Sequence, residues 1–163
     1  MKLELKNIEY AAFNSEETSC YQAKVYVDGK PMIEVSNNGH GGPDNQWPIK
    51  PFTDKDIEKV NSWCINNLPK WTSEYSPGKK FDTDLEIWCG EALGNYLTSR
   101  DLKNLMRRKI LYLEGNAIYE SSFKKFKTVT QDLLVKYINT YPDREILNTM
   151  AFSKALKLFK QFA

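Results

Sequence analysis

The sequence predicts an α+β fold, with an antiparallel sheet of about five strands packed against four to five helices. Three observations lead there. Apolar residues alternate with polar ones over the first third of the chain. They recur at helical spacing from Asp54 onward, and a strand pattern returns once, near residues 109–121. The arrangement fits a single domain over residues 1–163, with a β-meander at 1–36, a Gly/Pro-rich loop at 37–53, and helices with one hairpin at 54–163.

Each element follows from local chemistry. Leu3 and Leu5 alternate with charged residues, and Tyr21, Ala23, Val25 and Val27 alternate with Gln22, Lys24, Tyr26 and Asp28. Asp28-Gly29 is a two-residue hairpin signal, and a third strand follows around Met32 to Val35. Asp54 opens a helix whose inner face is Ile57, Val60, Cys64 and Leu68, stopped by Pro69. Thr83 and Glu86 have capping-box spacing for the next helix, with Leu85, Trp88, Ala92 and Tyr96 facing inward. Ser99 is placed to cap a further turn of helix, where Leu102, Leu105 and Met106 align. Ile110–Leu113 and Ala117–Tyr119 flank Gly115-Asn116 as a second hairpin. One helix carries Leu133, Leu134, Tyr137 and Ile138. Another is expected to start at Asp143 as N-cap, and a last short one at Ser153.

Composition narrows the class. With 41% hydrophobic and 13% aromatic residues and a net charge of +2, the chain has the means for a real core and is not a disordered polymer. No apolar run approaches the roughly 18–20 residues of a membrane span, and Met1–Tyr10 has no signal-peptide core, so a cytoplasmic protein is expected. Cys20, Cys64 and Cys89 are far apart, without CxxC spacing, and read as small buried hydrophobes. With three cysteines and one histidine, no zinc site is expected. Asp82, Asp84 and Glu86 leave a carboxylate magnesium site formally open, but Asp82 and Glu86 read better as helix-start charges, and no metal or cofactor is assigned.

The string Ser36-Asn37-Asn38-Gly39-His40-Gly41-Gly42 stands apart. Its glycines permit backbone shapes closed to other residues, and successive amides in such a turn can form an anion-binding nest. His40, the only histidine, would be a donor or a titratable contact there. Glu17 and Thr18 lie in a linker expected at the same end of the meander, with Glu16 or Thr18 placed to bind the loop backbone. The densest basic stretch holds Arg100, Lys103, Arg107, Arg108 and Lys109, followed by Lys124, Lys125 and Lys127. The ligand-binding set read from the sequence is therefore Asn37, Asn38, Gly39, His40, Gly41, Gly42, Glu17 and Thr18, with Arg107, Arg108 and Lys109 supplying charge. No catalytic residue is assigned. A His40-dependent phosphoester hydrolase is the alternative in a different class, with Ser15, Ser36, Cys20 and Asp44 as candidate partners. Trp47 and Trp71, in loops, are candidates for a stacking surface or a protein interface.

Ser15-x-Glu17-Thr18, Ala23-x-Val25-Tyr26-Val27-Asp28-Gly29-Lys30 and Ser36-Asn37-x-Gly39-His40-Gly41-Gly42 together resemble a group of uncharacterised small phage and prophage proteins. Those proteins begin with a similar strand and share the meander and the GHGG loop, and the stretch Lys103 to Tyr112 and the helical tail are also similar. The resemblance implies a small protein of the host bacterial cytoplasm that counteracts a bacterial defence. It would do so by sequestering an anionic nucleotide-like ligand, or by inhibiting a host defence or CRISPR-type effector protein. Nucleic acid is not favoured as a partner, because the whole-chain pI near 8.3 is mild and no RNP, KH or zinc-finger signature is present. Sheet edges and loop tryptophans are compatible with a homodimer.

Overall fold

Alternation in the first third does make a sheet. The computed structural model describes residues 1–121, 123 and 127–162. Strands β1 (Leu3–Tyr10), β2 (Tyr21–Val27) and β3 (Lys30–Asn37) form the expected antiparallel meander, and β4 (Asn45–Pro48) extends it in the order β1-β2-β3-β4. The fourth strand lies inside the segment read as loop. Its four residues include one proline and no alternating run, so periodicity carried no signal for it. Asp28 and Gly29 take φ of 49° and 83°, the positive values that a tight β2–β3 turn demands. Opposite β2, the register of β1 slips between Lys6 and Glu9, where Asn7 sits at φ 53°.

The pleat sends Tyr21, Ala23, Val25 and Val27 of β2 to the same buried face as Ile33, Val35 and Asn37 of β3. Helix α1 (Asp54–Asn67) lies against β4 and buries Val60 and Cys64. Its start is held by Thr53, whose backbone N–H and hydroxyl both donate to Asp56 at 3.0 Å. Two short strands, β5 (Trp71–Thr72) and β6 (Lys80–Phe81), pair in the following loop, where Trp71 stacks on Phe81 at 4.9 Å. Helix α2 (Leu85–Arg108) is one continuous element. Ser99 lies inside this helix and caps no turn of its own, because a serine in a helix whose apolar face continues through Leu102 costs little. Nor do Thr83 and Glu86 form its cap. Asp84 accepts from the Ile87 amide at 2.8 Å, Thr83 donates to the Pro69 carbonyl at 2.6 Å, and Glu86 reaches the Asp44 amide.

The chain divides into two compact units, Met1–Gly94 and Asn95–Ala163, with α2 contributing to both ranges. In the second unit β7 (Ile110–Glu114) and β8 (Ala117–Ser121) form the hairpin around Gly115-Asn116. Helix α3 (Gln131–Thr140) starts at Thr130, then come β9 (Glu145–Ile146) and α4 (Phe152–Phe162). The hairpin does not join the meander; it forms its own sheet in the order β8-β7-β9, with Tyr112 opposite Ile146. Consequently no helix starts at Asp143, since its neighbours Glu145 and Ile146 are drawn into that sheet, and the last helix begins at Phe152, one residue before Ser153. Strand β7 is buried on both faces, which explains its unbroken apolar run Ile110–Leu113. One face joins Leu111 to Leu102, Leu147 and Ala155. The other joins Ile110 to Leu134, Tyr137 and Ile146.

Asn148 locks these parts together. Its side-chain amide donates to the Met106 and Lys109 carbonyls at 2.9 and 3.1 Å, capping the end of α2, and its oxygen accepts from the Leu111 amide at 2.8 Å. Asn148→Ala should therefore strand one buried donor and two carbonyls at once. The expected loss is about 3 kcal/mol of unfolding free energy, read from urea denaturation.

Candidate functional site

The glycine loop is built around Asn37, a side chain on the buried face of β3 that is 7% exposed. Its Oδ1 accepts from the Thr18 hydroxyl at 2.6 Å and the Gly39 amide at 2.9 Å. Its Nδ2 donates to the Gly42 carbonyl at 3.2 Å and to Asp44 Oδ1 at 3.1 Å. All four bonding positions of the amide are used. The Gly39 carbonyl in turn receives three backbone donors, the amides of Glu16, Glu17 and Thr18 at 3.0, 2.9 and 3.3 Å. The β1–β2 linker and the glycine loop are thus clasped through one carbonyl oxygen. Gly39 allows this because its φ is +88° and a Cβ would lie 2.0 Å from the Asn14 carbonyl oxygen.

Three of the amides expected to cradle an anion already have partners within the chain. Gly39, His40 and Gly41 donate to Asn37, Asn38 and Thr18 side-chain oxygens at 2.9, 3.2 and 3.3 Å. Carboxylates crowd the same turn. Glu16 lies 3.2 Å from His40 Nδ1, Glu17 Oε2 closes on Gly41, and Asp44 accepts from Asn37 and from the Tyr21 phenol. Thr18 and Glu17 therefore brace the loop, and the arrangement is a structural clasp ringed by negative charge. His40 is oriented by Glu16, but its side chain is 57% exposed. Two of the four candidate triad partners are engaged elsewhere: Ser15 bonds the Ala11 carbonyl and the Cys20 amide, and Asp44 bonds Tyr21.

Open grooves lie on the first unit among the described residues. One, of about 500 Å³, crosses the loop end of the sheet and is lined by Glu9, Tyr10, Gln22, Asn37, Asn38 and Asn45, so it offers amides and a carboxylate but no cation. Another, of about 400 Å³, runs over the outer sheet face between Asn7, Lys24, Glu34 and Trp47. Trp47 is 63% exposed there, whereas Trp71 is half-buried on Phe81 and donates to the Asp82 carbonyl at 3.2 Å.

In the second unit, the basic stretch sorts itself by partner. Lys109 is paired with Glu120, Arg100 with Asp101 at 3.0 Å, and Arg108 Nε donates to the Asn104 carbonyl at 3.3 Å. Lys103 and Arg107, four residues apart on α2, line a groove of about 360 Å³ with Thr130 and Gln131 at the start of α3. Met106, Leu134 and Phe152 supply its apolar surface, and the Lys103 ammonium stands 5.0 Å from the Phe152 ring centre. No ion pair to Lys103 or Arg107 exists among the described residues. Of the three cations singled out from the sequence, then, Arg107 reaches a concavity, while Arg108 and Lys109 are held by their own neighbours. Lys124 and Lys125 lie outside the described residues, and Lys127 is exposed. Residues 37–42 belong to the first unit and Arg107–Lys109 to the second. The division also parts the charge. Met1–Gly94 holds ten Lys/Arg and fifteen Asp/Glu, a net −5, and Asn95–Ala163 holds thirteen and six, a net +7.

Sequence reasoning missed the coupling of Asn37 to Asp44 and the pairing of Lys103 with Arg107. The i,i+4 spacing of the latter was a usable signal; the former had none. Among the described residues, no three His, Cys, Asp or Glu side chains come together as a metal site, and no helix is long and apolar enough to cross a membrane. Compared with protein-family models, with curated proteins and with solved structures, the chain has no match.

Burial, helped by the Asp44 hydrogen bond, holds the Tyr21 phenol protonated far above its ordinary value of 10. Burial and then the charge of Asp84 push the Cys64 thiol up to about 11, and burial followed by Asp44 raises that of Cys89. The folded chain keeps these protons where the unfolded chain loses them. From these three groups alone, stability should be level below about pH 8, fall as pH climbs past 9 where the unfolded thiols ionise, and fall further past 10, with Tyr21 contributing at most about 1.4 kcal/mol per pH unit. Tyr21→Phe should flatten that alkaline fall in urea melts. At the loop, Gly42→Ala meets open space and should cost about 1–2 kcal/mol for its φ of +85°. Gly39→Ala should cost about 4 kcal/mol or more, because it must also displace the Asn14 carbonyl, and the same melts would rank the two.

Proposed function

We propose that this chain is a non-enzymatic binding protein that captures an anionic, nucleotide-like ligand, and that it acts as a phage- or prophage-type protein against a bacterial defence. The observation that carries the reading is the groove of the second unit. Two cations without carboxylate partners among the described residues, Lys103 and Arg107, stand over an apolar surface of Met106, Leu134 and Phe152. A phosphate on the cations and a base on the apolar surface match that division of chemistry. The volume of about 360 Å³ falls at the small end of ligand sites. Arg107 is the sequence-assigned contact that this version keeps. The glycine loop becomes the brace of the first unit, since its amides are occupied and its surroundings are acidic. The anti-defence role rests on the resemblance to small phage proteins.

A second reading, inhibition of a host protein, is favoured by Trp47, a large exposed ring beside the Lys24–Glu34 ion pair on the outer sheet face. One calorimetric panel separates the two. Cyclic mononucleotides, cyclic dinucleotides and ADP-ribose derivatives are titrated into the full chain. At least one should bind, and Arg107→Ala or Lys103→Ala should weaken it about tenfold each, with Arg107→Lys intermediate. If every compound fails, the ligand version is wrong, and a host protein captured by the parent but lost in Trp47→Ala would establish the other.

A further inference from the structure

Across one side of the three-stranded sheet runs a stack of planar groups. Tyr119 of β8 lies on Tyr112 of β7 at 5.7 Å between ring centres, with planes 21° apart. The Arg144 guanidinium sits 4.0 Å from the Tyr112 ring centre and 4.2 Å from that of Tyr141. It is steered there by a 2.5 Å bond from its Nη1 to the Tyr137 hydroxyl. The order is tyrosine, tyrosine, arginine, tyrosine, and the two end rings, Tyr119 and Tyr141, are 49% and 42% exposed. Tyr141 also lines an open groove of about 560 Å³ together with Phe123, Leu133, Lys136 and Thr140. That groove is lined from a different face of α3 than the one holding Lys103 and Arg107.

Tyr112 and Tyr137 tie the stack to the core, while its two end rings stay open to solvent. Tyr119 and Tyr141 bury only part of their rings, and each is held by a neighbour, Tyr119 by the stacked Tyr112 and Tyr141 by Arg144 and the tilted Tyr137 ring at 4.8 Å. A preordered aromatic face costs a ligand little ordering entropy and suits another planar π system. The charge of the surrounding unit selects among planar partners. Over the whole chain the net charge is a mild +2, but Asn95–Ala163 alone carries +7 on 69 residues. Two of the acids near the stack are already matched, Glu120 by Lys109 and Glu145 by Lys154, which leaves Asp143 and Glu114 as its local negative charges. Lys136, in the groove beside Tyr141, has no ion pair among the described residues.

We infer that the second unit binds single-stranded nucleic acid, with unpaired bases stacking on the exposed rings of Tyr119 and Tyr141 and the backbone following Lys136 and the excess basic charge of Asn95–Ala163. Base stacking on aromatic rings is tolerant of sequence, and the cationic unit supplies affinity by releasing counterions. A duplex keeps its bases stacked on one another and offers the rings nothing. The absence of an RNP or KH signature does not bear on this surface, because its rings come from a hairpin and from the segment around Arg144.

The test is fluorescence anisotropy of labelled oligo-dT and oligo-U of about fifteen nucleotides, titrated with the full chain, with a duplex of equal length as comparator. Single strands should bind more tightly than the duplex, and affinity should fall at least tenfold between about 50 and about 200 mM salt. Tyr119→Ala and Tyr141→Ala should each weaken binding about five- to a hundredfold without changing the salt slope, because no cation is removed. Tyr119→Phe and Tyr141→Phe should bind like the parent, since the ring face is kept. Arg107→Ala should lower free-nucleotide binding in the calorimetric panel while the two tyrosine variants leave it unchanged, so the two sites fail separately. Equal affinity for duplex and single strand, or alanine variants that bind like the parent, would overturn the inference. So would binding of an acidic protein with none to either oligonucleotide.

Discussion

Within the first unit, one buried amide group organises everything at the loop end of the sheet. Asn37 occupies a position that alternation assigns to the core, and a polar side chain there is costly unless fully bonded. The surrounding chain bonds it four times over, drawing in Thr18, Gly39, Gly42 and Asp44. The unusual glycines follow from that demand. Gly39 must place its carbonyl where three amides of the preceding linker converge, and its own amide must turn back to Asn37. A network with every member satisfied rigidifies its surroundings, so the glycine-rich segment is a fastener and not a hinge.

This changes what the glycines mean for function. A loop of this composition suggests open amides waiting for phosphate, and here the amides of Gly39, His40 and Gly41 serve the fold. The positive charge lies elsewhere in the chain. The second unit is basic, the first acidic, and among the described residues Lys103 and Arg107 share one concavity without a carboxylate partner. The proposed capture of negative charge is therefore assigned to the helix and groove of Asn95–Ala163 and not to the sequence motif that draws the eye.

Most of the backbone was legible because its signals are local. The Asp28-Gly29 turn, the alternation in β2 and β3, the spacing in α1 and the Gly115-Asn116 hairpin each depend on residues within a few positions of one another. What could not be read depends on distant pairing. β4 exists because β3 offers it an edge, and β9 exists because Tyr112 and Leu113 do the same for Ile146 and Glu145. Asp143 has the chemistry of a helix cap, and that local preference lost to sheet pairing. The candidate site was half legible for the same reason. Arg107 was named from charge density, while its partnership with Lys103 over Phe152 and Leu134 needed the packed structure.

The slip in β1 at Asn7 and the proline ending β4 share a consequence. Both outer rims of the four-stranded sheet are poor templates for a further strand. On one side the kink disrupts the straight row of hydrogen-bonding groups, with Lys2 and Lys6 beside it, and the other rim is four residues long and closes on an imino acid with no hydrogen to donate. Growth of this sheet into fibrils or strand-swapped oligomers is thereby discouraged.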